Sequence, residues 1–369
     1  MLKRFVKIAL CALSFCGFFM IAFAASYNFS LLPLFNGAAA VGTGLHPHIP
    51  DTPKAIEAIP YEYINPPRSD SKPLGLSINR PSALPAETGQ APETPLPETD
   101  SLPEGALPVI SLDMSEQQSA GNLAYRNESK YSPDLNSLAM AQYPISHSKL
   151  TSVNAPDQPT VLIIHTHGTE CYLPDKTEYY LADTPTRSAD TSINVVAVGK
   201  ALAQKLNEMG VSTLHCETMF DADSYSDSYD LSEKAVLEYL ERYPSIQYVF
   251  DVHRDSIVRG NGEKIKPQAI VNGLPTAQAM LVVGTDSSGA DHPDWMTNLT
   301  VATHFQSRAI TRFGNLMRPI NIRAASFNAE HTPGSVLIEV GTCGNTISEA
   351  LNCASLLGET IADVILNQD

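Results

Sequence analysis

The run Val161-Leu-Ile-Ile-His-Thr-His-Gly-Thr-Glu170 sets two histidines and a glutamate directly behind four apolar residues. Imidazole and carboxylate are donors that zinc prefers, and a catalytic zinc takes three of them while keeping one position open. Two further runs end in the same donor types, Tyr248-Val-Phe-Asp-Val-His253 and Val336-Leu-Ile-Glu339. Strand ends that supply His, His and acid predict one shared metal site. His165 and His167 fall on the same face of a regular strand, so residue type leaves both open as ligands, with the other contacting substrate or supporting the site.

His253 follows mostly apolar residues, and such a histidine taken alone is more often a satisfied core residue than a ligand. Its neighbours Asp251, Arg254 and Asp255 crowd charge onto that strand end, and buried charge is costly unless paired or metal-bound. Glu339, inside Gly334-Ser-Val-Leu-Ile-Glu-Val-Gly341, needs a proton, a cation or a role. Beside activated water it can act as general base and then return the proton to a leaving amine. Arg254 is a candidate for stabilising a tetrahedral oxyanion, the plainer alternative being a structural pair with Asp251 or Asp255. Cys171 reads as a small packing residue, and no Cys-x-x-Cys spacing argues for a structural zinc. His292 is a candidate groove residue, and Trp295 suits either a substrate contact or the core.

These residues need a frame that brings strand ends together. Val161–His165, Val211–Leu214, Ile246–His253, Ala279–Val283 and Val336–Val340 read as strands, and Ser192–Met209, Leu231–Tyr243, Trp295–Phe313 and Ser348–Leu366 as helices. Gly210 and Pro244 punctuate the first two helices. Alternating β and α segments predict an α/β fold with a mostly parallel sheet flanked by helices on both faces. Ligands in such sheets gather at the carboxyl ends of strands.

The chain has 369 residues, 43% of them hydrophobic, unevenly spread. Ile8–Ala25 is a weakly polar run behind Lys3, Arg4 and Lys7, long enough to cross a bilayer as a helix. The charge asymmetry predicts a cytoplasmic N-terminus with everything after about residue 26 outside. Ala22-Phe-Ala24 offers signal-peptide cleavage as the rival, which would make the chain secreted. Residues 1–26 are therefore expected to be the membrane anchor or signal, and 27–108 a disordered Pro- and Glu-rich tether with too few large apolar residues to fold. About 60 flexible residues reach roughly 40 to 50 Å. Residues 109–156 read as an accessory segment and 157–369 as the catalytic domain. A net charge of −16 without basic clusters excludes nucleic-acid binding and suits an anionic wall polymer poorly, so capture depends on local groove chemistry or on partners.

The order of motifs resembles the stage II sporulation protein P family of cell-wall hydrolases, within the broader zinc amidases. The likeness runs from about residue 109 to 369. It is carried by His-Thr-His-Gly-Thr-Glu170, Thr186-Arg-Ser-Ala-Asp-Thr-Ser-Ile-Asn-Val-Val196, Tyr225-Ser-Asp-Ser-Tyr229, Asp251-Val-His-Arg-Asp-Ser256, His292-Pro-Asp-Trp295 and Pro333-Gly-Ser-Val-Leu-Ile-Glu-Val-Gly-Thr342. The resemblance implies a zinc-dependent N-acetylmuramoyl-L-alanine amidase that strips stem peptides from peptidoglycan during engulfment, with cross-link endopeptidase activity in some members. It implies His167, Glu170 and His253 as zinc ligands, His165 as the competing ligand, and Glu339 as catalytic acid and base. Implied partners are a lytic transglycosylase (stage II sporulation protein D) and a multi-span membrane protein (stage II sporulation protein M). His331 and Cys343 depart from the family's pattern in loop positions near Glu339.

Overall fold

The computed structural model describes residues 102–146 and 158–367. The expected anchor, the tether up to residue 101, and His46, His48 and His147 lie outside them. Among the described residues no helix is long and apolar enough to cross a membrane.

In chain order the elements are β1 (Leu107–Leu112), β2 (Tyr125–Asn127), α1 (Leu135–Ala139), β3 (Val161–Ile164), β4 (Tyr179–Tyr180), α2 (Val195–Glu208), β5 (Thr213–His215) and α3 (Ser228–Arg242). Then follow β6 (Tyr248–Asp255), β7 (Lys264–Val271), β8 (Leu274–Ala277), β9 (Ala279–Val283), α4 (Trp295–Phe313), β10 (Ile320–Ile322), β11 (Val336–Thr342) and α5 (Ile347–Leu366). Local chemistry sets the helix starts. The Asn194 side chain accepts from Val196 N at the head of α2. Thr346 and Glu349 form a reciprocal capping box on α5, which satisfies backbone donors that have no partner within the helix.

The main sheet has the order β2-β10-β9-β11-β6-β3-β5. All neighbouring pairs are parallel except β11 with β9. The sheet is thus two parallel blocks running in opposite senses, and the reversal brings the start of β10 beside the ends of β6 and β11. A period of two divides its side chains. Tyr248, Phe250 and Val252 on β6, Val336, Ile338 and Val340 on β11, and Ala279, Leu281 and Val283 on β9 enter one core. Packed against them are Val198, Leu202 and Leu206 of α2, Leu299 and Phe305 of α4, and Leu357 and Ile361 of α5. Each such large aliphatic side chain contributes about 1.5–3 kcal/mol relative to exposure. The alternate residues, Asp251 and His253, Leu337 and Glu339, Met280 and Val282, are left for the opposite face. There α3 is joined to the end of β3 through Ser232, whose Oγ accepts from Thr166 Oγ1 at 2.8 Å.

The segment expected as an accessory unit is instead threaded through the domain. β2 extends the main sheet beside β10, and β1 pairs with β7 in a second sheet of order β4-β1-β7-β8. A buried ion pair, Lys266 Nζ to Glu349 Oε1 at 3.0 Å, ties this second sheet to α5.

Candidate metal centre

β3 ends at Ile164, and the next residues turn rather than continue the strand. Two buried carboxylates fix that turn through its threonines. Asp251 accepts from Thr166 N at 2.8 Å and Thr166 Oγ1 at 2.6 Å. Asp221 accepts from Thr169 N at 3.0 Å and Thr169 Oγ1 at 2.6 Å, and is ion-paired with Arg187. Gly168 fits between them because a Cβ there would stand 2.6 Å from Met219 Cγ. The outcome is that His167 and Glu170 face His253 on β6. Each of the three offers one donor atom, all within 4.8 Å of one another, and all three residues are buried.

The contacts of each member suit coordination. His253 Nδ1 lies 3.5 Å from Glu170 Oε2, and its Nε2 lies 2.9 Å from Asp251 Oδ1, a carboxylate on the far ring nitrogen of the kind that orients metal-binding histidines. Glu170 Oε2 accepts from Arg254 N at 3.2 Å. His167 Nε2 is 3.2 Å from Ser228 Oγ, and its ring packs on Tyr225 with centroids 4.4 Å apart. Burial opposes charge on His253, but Asp251 and Glu170 outweigh it and hold the imidazole well above its usual pKa, so the ring keeps a proton that a bound metal would have to displace. Burial likewise opposes charge on Glu170, and His253, Arg254 and His167 outweigh it, so the carboxylate stays ionised. Burial, reinforced by His253, lowers His167 and leaves it neutral, the form a metal needs. Two imidazoles and a carboxylate converging in a buried, carboxylate-rich pocket fit zinc.

Glu339 lies beside His253 in the β11–β6 register. Burial pushes its carboxyl up to about 8 despite the pull of His253, and its Oε2 is enclosed with no hydrogen-bond partner. The centre opens into a cleft of about 270 Å³ lined also by Tyr225, Tyr229, Arg318, Asn321 and Phe327. A larger cavity of about 550 Å³ between Tyr143, His304 and Arg308 gathers no comparable set.

His165 is not brought to this centre. Its Nδ1 meets Val252 O at 2.9 Å and its Nε2 meets His215 Nε2 at 2.8 Å, and it lies against Gly199 of α2, where a Cβ would stand 2.3 Å from its Cε1. The same-face expectation for the two histidines fails because the strand ends at Ile164, before both of them, and the chain turns from Thr166 onward. Arg254 also stands away from the cleft. Its guanidinium donates to Cys171 O at 3.0 Å, Thr186 O at 2.6 Å and Asp255 O at 3.3 Å, so it braces the segment carrying Glu170 and is not directed at a substrate oxyanion. Of the two partners expected for it, Asp251 is held by Thr166 and His253, and the Asp255 carboxylate pairs with Arg318 at 2.8 Å.

His292 is buried on Asn298 Oδ1 at 2.9 Å, and Trp295 is buried in a stack with Tyr131, centroids 4.5 Å apart, so neither lines the cleft. His331 bonds Glu233 at 3.0 Å, and the Cys343 Sγ lies 3.5 Å from Ser256 Oγ. Cys171, Cys216, Cys343 and Cys353 are all buried free thiols. Sequence reasoning missed Asp221, Arg187, Ser228, Arg318 and Asn321. The first three lie within or near quoted motifs, whereas Arg318 lies just before, and Asn321 inside, a three-residue strand that carries no signal of its own.

Fold and site together define a mixed α/β domain with a candidate histidine–glutamate–histidine metal centre. The family model for stage II sporulation protein P matches residues 98–362, and the chain belongs to that family. Stage II sporulation protein P of Bacillus subtilis (strain 168) is 24% identical over 220 residues, covering 56% of this chain and 51% of that protein. The chain thus spans about half the length of the curated relative it matches. Among solved structures, N-acetylmuramoyl-L-alanine amidase AmiC2 of Nostoc punctiforme is similar at 15% identity and a TM-score of 0.33, over 56% of this chain and 95% of that one. The CwlD amidase from Clostridioides difficile, solved with the GerS lipoprotein, is similar at 14% identity and a TM-score of 0.35, over 57% and 98%.

Proposed function

We propose that the chain is a zinc-dependent peptidoglycan hydrolase of sporulation that cleaves the amide between N-acetylmuramic acid and the L-alanine of the stem peptide, with cross-link endopeptidase activity beside it. The observation that carries this reading is the convergence of His167, Glu170 and His253 next to Glu339, whose Oε2 is enclosed without a partner. Family membership supports the wall substrate and the sporulation context.

His167, Glu170 and His253 would hold zinc, which when bound would supply a Lewis acid for the carbonyl and lower the pKa of water towards neutral. The chain's own residues do the rest. Asp251 keeps the His253 ring oriented, and the Arg254 backbone N–H keeps Glu170 in place. With a cation in the centre offsetting its burial, Glu339 would ionise, take the proton of the attacking water and pass it to the departing alanine nitrogen, so one carboxyl serves as base and then acid. Tyr225 and Tyr229 cover His167 and limit water around the centre.

With this reading go an N-terminal anchor over residues 1–26, a tether from residue 27 that ends before β1 begins at Leu107 and not at residue 108, and a catalytic domain outside the cell membrane. Partners of the stage II sporulation protein D and M types complete it. The test is digestion of purified wall by the full-length protein, with the new termini identified. Muramic acid freed of peptide together with N-terminal alanine is the expected product. Release of C-terminal residues alone would instead make the chain a carboxypeptidase, and no release at all a wall-binding scaffold.

A further inference from the structure

Two buried polar side chains that the proposed chemistry does not use point into the same cleft. Arg318 is 6% exposed and Asn321 8%, and both line the cleft with Glu339. Arg318 Nη2 is fixed on Asp255 Oδ2 at 2.8 Å, which leaves Nη1 enclosed without a partner, and Asn321 Oδ1 is enclosed without one as well. A buried donor or acceptor left unpaired is destabilising, because it has given up water without gaining a partner. Such groups persist where a ligand or solvent completes them, and here a donor and an acceptor are offered together.

The surface between them is apolar. Asn321 is in register with Val282, and Val282 with Leu337, while Met280 is in register with Glu339. Met280, Val282 and Leu337 form a small cluster with Phe327, separate from the main core, and all four line the cleft. Asn321 stands two strands from Leu337, and Glu339 lies two residues further along β11, so about 12 Å separate them at ordinary strand spacing and rise. That is about three to four residues of extended chain. The cleft therefore runs from the metal centre across an apolar floor, with a donor near the reacting end and an acceptor at the far end. Peptide groups present a carbonyl and an N–H in that manner, and short aliphatic side chains match the floor.

Building on the proposed amidase reading, we infer that the stem peptide, and not the glycan, lies over β9 and β10. Arg318 Nη1 donates to a peptide carbonyl close to the scissile bond, and Asn321 Oδ1 accepts a peptide N–H further along. The two residues fix which half of the substrate occupies which side of the centre.

The experiment uses chelator-treated full-length protein, so that binding is read without turnover. The probes are a soluble disaccharide carrying a muramoyl tripeptide and the same disaccharide with the peptide removed. Arg318→Lys keeps the charge beside Asp255 while removing Nη1, and Asn321→Leu removes the acceptor at similar volume. Each is expected to weaken binding of the peptide-bearing probe by about tenfold and to leave binding of the bare disaccharide unchanged. Should Arg318→Lys lose its cooperative melt, Asn321→Leu alone decides. Equal loss for both probes, loss confined to the bare disaccharide, no change for either, or no measurable binding of the peptide-bearing probe to the unaltered protein would each overturn the assignment. The bond cleaved is read separately from wall digestion, so an error in reaction type shows there and an error in peptide placement shows here.

Discussion

His165 and His167 stand two residues apart and serve different parts of the fold. His165 Nε2 meets His215 Nε2 at 2.8 Å against α2, while the His167 ring packs on Tyr225 and converges with Glu170 and His253. Replacing His167 by Ala is expected to weaken zinc binding by more than about 100-fold, since it removes a ligand outright. His165→Asn should stay within a few-fold of the unaltered protein. Competition with a chromogenic chelator measures both, and the reverse order would exchange their roles.

Glu339 is placed beside the centre and not within the ligand group. Glu339→Gln is expected to retain zinc at unchanged affinity and to lose about 10²- to 10⁴-fold in turnover, the range for a removed general acid and base. Metal content and wall-hydrolysis rate determined on the same preparation check this. Full activity would remove Glu339 from the reaction.

The turn that carries two of the ligands depends on close packing. A Cβ at residue 168 would stand 2.6 Å from Met219 Cγ and 2.8 Å from its Cα, so the backbone itself must move. Gly168→Ala is expected to cost about 1–3 kcal/mol in denaturant unfolding and to weaken zinc binding at the same time. Unchanged stability and unchanged zinc affinity would show that the turn tolerates the side chain.

The His165–His215 pair gives the fold an acid limit of its own. Burial lowers His165 to about 4, helped by His253 and only partly opposed by the hydrogen bond to Val252 O. Burial, with His165 and Lys200 adding, holds His215 well below its usual value. Both imidazoles are depressed on folding, so the unfolded chain binds more protons and stability falls as pH drops from about 6.5 towards 4. The His165 shift alone corresponds to about 3 kcal/mol. Unfolding of chelator-treated protein from pH 7 to 4.5 should show this slope, and the double variant His165→Gln/His215→Gln should flatten it. An identical slope in the variant would place the acid limit elsewhere.

Much of this arrangement is legible from residue order. The period of two along β6, β9 and β11 already separates Val252, Leu281 and Ile338 from His253, Met280 and Glu339, because one face must enter the core while the other is free to carry chemistry. The helices α2, α4 and α5 fall where their apolar spacing predicts, since tertiary burial and local propensity agree there. What residue order does not reveal is where regularity stops. β3 stops at Ile164, so His165 and His167 lie in the segment that turns after it, and that turn is fixed at Thr169 and Thr166 by Asp221 and Asp251, carboxylates 52 and 85 residues away from them. The reversal between β9 and β11 is equally hidden, and it alone brings Arg318 to Asp255 and the cleft. Arg254 misleads for a related reason: its position beside His253 suggests a substrate contact, but backbone carbonyls at Cys171 and Thr186 occupy its donors.

The most direct test of the centre is X-ray absorption at the zinc edge on the zinc-loaded full-length protein, with metal content measured in parallel. A single zinc per chain with a shell of nitrogen and oxygen, the multiple scattering of two imidazoles and no sulfur is the result expected for His167, Glu170 and His253. A sulfur shell near about 2.3 Å would bring a thiol such as Cys171 into the site, and failure to retain zinc at all would contradict the metal centre itself.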